Sequence, residues 1–129
     1  MAARPEISVV APVYRHWALV PGLLAALGAQ SLDADRFEIL LVDNDPAAGT
    51  APPPLPGNAR VLPGTAPGSY AARNAGAASA RGALIAFTDA DCNPDPDWLE
   101  ALREAARSRQ SRSMRGQTAS GVAVSAASP

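Results

Sequence analysis

Five carboxylates fall within twelve residues: Asp89, Asp91, Asp95, Asp97 and Glu100. Unpaired carboxylates this close repel one another, and a hard divalent cation removes that penalty. Asp89-Ala90-Asp91 follows almost directly on the apolar run Ala83–Phe87, so an Asp-x-Asp pair is expected at a strand end. Oxygen ligands suit Mg²⁺ or Mn²⁺, with coordination positions left open for substrate phosphates. The same stretch nearly fits a calcium-binding EF-hand loop, with Asp89, Asp91, Asn93, Asp95, Asp97 and Glu100 at the ligand positions. Two features oppose that reading. Pro94 stands where the loop needs Gly, and ALIAFT reads as a strand where a helix is required. Asp95 and Asp97 are better explained as residues favoured by a helix N-terminus. Cys92 reads as a small packing residue, and His16 as a surface residue.

Other polar side chains are placed in the same way. Tyr14 follows the β-branched run Ile7–Val13, and Asp43 with Asn44 ends the apolar run from Phe37 to Val42. Such continuous apolar runs suit strands buried on both faces of a parallel sheet. Between them, Trp17, Val20, Leu23, Leu24 and Leu27 recur at helical spacing, although Pro21 and Gly22 sit in the early turns. A Pro-rich loop over residues 46–59 leads to a short strand at Arg60–Leu62. Ser69 is expected to cap a helix to about Ala80, ended by Gly82. Asp95 and Pro96 are expected to open a last helix through about Arg107. This order specifies an α/β layer with a mostly parallel sheet and helices on both faces. In such sheets ligands bind outside the carboxyl ends of the strands, so three segments deliver polar groups to one rim.

The chain has 129 residues, 47% hydrophobic and 18% charged, with a net charge of −1 and one cysteine. One globular domain is the expectation, and a wholly disordered chain is excluded. There is no global basic field to hold nucleic acid. No apolar run approaches the length of a membrane span, and MAARPEISVV lacks the layout of a signal peptide. A lone cysteine excludes an internal disulfide, and a cytoplasmic location is expected. No G-x-G-x-x-G follows the first strand and no Walker-type phosphate loop occurs, which disfavours dinucleotide oxidoreductases and P-loop NTPases.

Four segments, ISVVAPVYRH, FEILLVDND, GSYAARNAGAASARG and ALIAFTDADCNPDPDWLEAL, stand in an order and spacing that resembles the front half of a family 2 glycosyltransferase. The resemblance covers residues 7–104. It implies a GT-A (Rossmann-like) fold and the metal-dependent, inverting transfer of a sugar from a nucleotide-diphosphate donor to a saccharide or lipid-linked acceptor. It assigns the nucleoside to Pro12 and Tyr14, the base to Asp43 and Asn44, the donor phosphates to Arg73, and the Asp-x-Asp motif to Asp89 and Asp91, with Asp91 meeting the metal. Asn44 replaces the family's second acid, and Arg15 stands where the family often has Asn. Residues 5–107 are then the N-terminal part of a donor-binding domain, and 108–129 a disordered tail. The family's catalytic base lies in its later half, and no Asp or Glu follows Glu104. The chain is therefore expected to be truncated, with the edge beside residues 83–88 open and solubility poor. The alternative is a non-catalytic nucleotide-sugar or metal-binding module.

Overall fold

A computed structural model of the chain describes residues 4–45, 52–64, 68–112 and 122–124. The elements are β1 (Ile7–Val13), α1 (Val20–Gly28), β2 (Phe37–Asp43), β3 (Ala59–Pro63), α2 (Ser69–Ser79), β4 (Leu84–Phe87), α3 (Trp98–Arg112) and β5 (Val122–Val124). Single 3₁₀ turns at Trp17–Leu19 and Ala34–Arg36 lead into α1 and β2. The strands form one sheet in the order β3-β2-β1-β4-β5, and every pairing is parallel.

Alternation along β1 and β2 sends side chains to two cores. Ile7, Val9, Ala11 and Val13, with Phe37, Ile39 and Leu41, face Val20, Leu23 and Leu27 of α1 and Trp98 and Leu99 of α3. Val10, Leu40, Val42 and Ile85 face α2 through Ala72 and its flanking alanines. Both faces are thus covered, which is why these strands read as continuous apolar runs. The small residues of α2 allow a close approach. A Cβ on Gly76 would run into the Val10 side chain.

The amino end of the sheet is tied by a buried polar network. The Ser8 hydroxyl donates to Glu38 Oε2 at 2.6 Å, and the Arg81 N–H donates to the same oxygen at 2.8 Å. The Gly82 N–H donates to Ser8 Oγ at 2.8 Å. Arg81 and Arg60 lie 3.4 and 3.6 Å from Glu38 Oε1. Gly82 is required by this approach, since a Cβ there would sit 2.7 Å from the Ile7 carbonyl carbon. Its expected role as a helix stop is replaced: α2 ends at Ser79, with Ala80 already extended.

Other boundaries differ from expectation for local reasons. α1 begins at Val20, so Pro21 falls in the first turn, where its missing N–H costs nothing. The N-cap of α2 is Gly68 at φ 102°, and Ser69 is the first helical residue. α3 begins at Trp98 after an irregular stretch through Asp95 and a turn at Pro96 and Asp97, and it runs on to Arg112 past the expected end at Arg107. Val122–Val124, placed in the expected tail, pairs with Leu84–Ala86 as an apolar, β-branched segment along the β4 edge. That edge, expected to be open, is therefore paired. The remainder of the tail, residues 113–121 and 125–129, and the first part of the Pro-rich loop, residues 46–51, lie outside the described residues. Among the described residues no helix is long and apolar enough to cross a membrane.

Burial pushes the Glu38 carboxyl up, but the Ser8 hydroxyl, the Arg81 N–H and the charges of Arg81 and Arg60 outweigh it and hold the group below the ordinary glutamate range. A carboxyl lowered on folding stabilises the native state above its unfolded value, and that stability is lost as pH falls through the folded value. Chemical denaturation of the unaltered chain should therefore show stability falling progressively below the ordinary glutamate range. Glu38→Gln should lower stability at neutral pH by about 1–3 kcal/mol and flatten that acid dependence.

Candidate functional site

The carboxyl ends of β2, β1 and β4 lie side by side, and Pro12 shapes where they part. Val10 is the last β1 residue paired with β4, and its carbonyl accepts the Thr88 N–H at 3.0 Å. Pro12 has no N–H to continue that ladder. The chain beyond Thr88 is released into the turn that carries Asp89 and Asp91. On the other side β1 stays paired with β2 to Val13 and Asp43, and the Asn44 N–H reaches the Val13 carbonyl at 2.8 Å.

The sequence-singled residues divide into two groups on this rim. On the β4 side, Asp89, Asp91 and Cys92 each offer a ligand atom, all within 4.8 Å of one another. Arg73, one turn into α2, has Nη2 3.5 Å from Asp89 Oδ1. The two side chains are 38% and 53% exposed, so water screens the pair and its contribution to stability is small. On the β2 side, Asp43 Oδ1 accepts the Asp45 N–H at 3.1 Å, and Asn44 Oδ1 is buried with no partner among the described residues. Gly64, at the exit of β3, donates its N–H to the Asp43 carbonyl at 2.8 Å, and a Cβ there would come within 3.3 Å of Asn44 Oδ1. Between the two groups stands Tyr14, half exposed just past β1. Pro12 is half-buried within β1, opposite Val42.

Asp95, Asp97 and Glu100 are not part of the cluster. Asp95 and Asp97 lend backbone carbonyls to the first turn of α3, and the Glu100 carboxylate accepts the Ser31 hydroxyl at 2.6 Å. A strand precedes Asp89, and Glu100 is engaged elsewhere, so the chain does not adopt the EF-hand arrangement. Cys92, read as a packing residue, lies half-buried beside the two carboxylates.

The model of the family described as Glycosyl transferase family 2 matches residues 8–113. The chain belongs to glycosyl transferase family 2. Glycosyltransferase AglE of Haloferax volcanii is 36% identical over 102 residues, which are 74% of this chain and 34% of that protein. Among solved structures, S. aureus TarS superposes with a TM-score of 0.64 at 21% identity, over 81% of this chain and 20% of TarS. TarS 1–349 in complex with UDP superposes at 0.60 with 23% identity, over 79% of this chain and 31% of that one. The same TarS fragment with UDP-GlcNAc gives 0.57, again at 23% identity, over 79% and 30%. These likenesses establish a GT-A-like fold. The chain spans about a third of the curated relative's length.

Within this family 2 member, one feature of the rim and one of its supports were not legible in the sequence. One is the Arg15–Asp45 pair, closed at 2.7 Å between residues thirty apart. The other is Gln30, after α1. Its Oε1 accepts the Leu99 N–H at 3.0 Å, and its Nε2 donates to the Asp95 carbonyl at 2.6 Å. The Ser31 N–H adds a bond to the Pro96 carbonyl at 2.8 Å. Gln30 thus performs the capping that Asp95 was expected to perform, from 69 residues away, and anchors the chain leaving the acidic turn. Gln30→Ala leaves the buried Leu99 amide unsatisfied. Thermal or urea unfolding should show a loss of about 1–2 kcal/mol, larger than that of Ser31→Ala.

Proposed function

We propose that this chain is the donor-binding part of a glycosyltransferase that takes a nucleotide-diphosphate sugar with Mg²⁺ or Mn²⁺ and transfers the sugar with inversion to a saccharide or lipid-linked acceptor. The observation that carries the reading is the convergence of Asp89 and Asp91 with Asp43, Asn44 and Tyr14 at adjacent strand exits. The carboxylates fit a hard divalent cation: their oxygens lie close together and largely exposed, and among the described residues Arg73 alone is paired with them. Asp91 would be the main ligand and Asp89 the second. When bound, the cation neutralises the donor diphosphate and the charge that develops on it as the sugar leaves.

The chain's own residues do the rest of the binding. Asp43 and Asn44 face the base, and an amide can both donate and accept hydrogen bonds. Tyr14, with Pro12 behind it, offers an apolar surface to the nucleoside. Arg73 supplies a fixed positive charge to the phosphates. The complexes of TarS with UDP and UDP-GlcNAc support a uridine nucleotide as the first probe. A second reading is a non-catalytic nucleotide-sugar or metal-binding module. It shares the binding and differs in showing no sugar transfer or donor hydrolysis.

Calorimetric titration with UDP should give binding in Mn²⁺ that is lost in excess chelator. Asp91→Ala should abolish that metal-dependent binding without moving the melting temperature, because an exposed loop carboxylate contributes little to packing. Equal UDP affinity in chelator and in Mn²⁺ would defeat the assignment. So would calcium binding that survives Asp91→Ala and disappears with Glu100→Ala.

A further inference from the structure

Arg15 is the only non-glycine residue with positive φ among the described residues, at 64°. An arginine in the left-handed region is uncommon and persists where the surroundings over-determine it. Here the side chain is held on two sides. Its Nε donates to Asp45 Oδ2 at 2.7 Å, and its guanidinium carbon lies 5.1 Å from the centre of the Tyr14 ring. Asp45 in turn donates its backbone N–H to Asp43 Oδ1. The contacts run Tyr14, Arg15, Asp45, Asp43 without a gap, and so cross from the β1 exit to the β2 exit.

We propose that Arg15 and Asp45 form a clamp between these exits that holds Tyr14 and Asp43 in position for the nucleoside end of the donor. The inference rests on the donor-site reading above. Neither residue of the pair needs to touch the ligand, so both are positioning residues. The clamp acts by restricting a half-exposed ring and a carboxylate at the end of β2 before binding, which lowers the ordering cost of association. It also occupies the Asp45 charge, leaving Asp43 as the carboxylate available on that side. The arginine suits this role better than a shorter amide, because it reaches Asp45 and covers the Tyr14 ring at once.

The test is a double-mutant cycle on the full chain, read as UDP affinity in Mn²⁺ by calorimetry. Arg15→Asn keeps a residue type that tolerates the left-handed backbone but cannot close the ion pair. Asp45→Ala removes the partner. Each should weaken UDP binding by about two- to fivefold, the scale of an exposed ion pair. The double variant should be no weaker than either single one. All three should melt with the unaltered chain, and their difference from it should shrink in 1 M salt, where exposed pairs are screened. Unchanged affinity in either single variant overturns the clamp. Losses that multiply in the double variant also overturn it. If Arg15→Asn weakens UDP while Asp45→Ala does not, Arg15 meets the phosphates directly and the clamp is wrong. If the unaltered chain binds no UDP, the donor-site reading fails and the clamp fails with it.

Discussion

Glu38 lies at the end of the sheet remote from the acidic rim, yet the rim's geometry depends on it. Strand side chains alternate with a period of two, so a one-residue slip exchanges the two faces of a strand. The buried Glu38 carboxylate on β2 bonds Ser8 on β1 and the Arg81 amide just ahead of β4, and Ser8 bonds Gly82. Three strands are thereby fixed in register from one end. With that register set, strand length decides where each exit falls: β1 and β2 finish level at Val13 and Asp43, and β4 finishes earlier, opposite Val10. The acidic turn after β4 is therefore set back from the other two exits, which leaves room above it.

The rim's charges are balanced unevenly. Four carboxylates, Asp43, Asp45, Asp89 and Asp91, meet two guanidinium groups. Arg15 is committed to Asp45 at 2.7 Å, whereas Arg73 stands 3.5 Å from Asp89 in a looser pair. One arginine is thus built into the frame and the other is free to exchange partners. The excess of negative charge falls where a cation would sit, and a diphosphate approaching the same place is repelled until that charge is offset. Family membership and the GT-A-like fold agree with this distribution of charge, which is a property of this chain's own side chains.

Much of this architecture was legible in the sequence because burial on both faces leaves a plain signature. The runs Ile7–Val13 and Phe37–Val42 are apolar but for Ser8 and Glu38, which bond each other in the interior, and the polar residues ending them mark the rim. Elements set by tertiary context were harder to read. The start of α3 depends on Gln30, whose capping role has no local signal. Gly82 resembled a helix stop, but its lack of a side chain serves close contact with β1. Val122–Val124 is too short to announce itself, and its pairing becomes intelligible only beside the β4 edge. Arg15 and Asp45 are ordinary charged residues until the parallel pairing of β1 and β2 brings them together.

The bond from Gln30 to Leu99 spans 69 residues, and between them lie three strands and α2. Closing such a span is an entropic cost that local structure cannot recover, so the bond forms only once β2, β3 and β4 have paired around β1. The contact that anchors the chain leaving the acidic turn is therefore long-range, although the residues within that turn are neighbours in sequence. Its persistence is also joined to that of the turn after α1. Gln30 and Ser31 bond Asp95, Pro96 and Leu99, so the turn after α1 and the chain leaving the acidic turn share these contacts. The chain leaving the acidic turn is thus anchored by backbone and amide bonds to a distant turn and not by the carboxylates of Asp89 and Asp91.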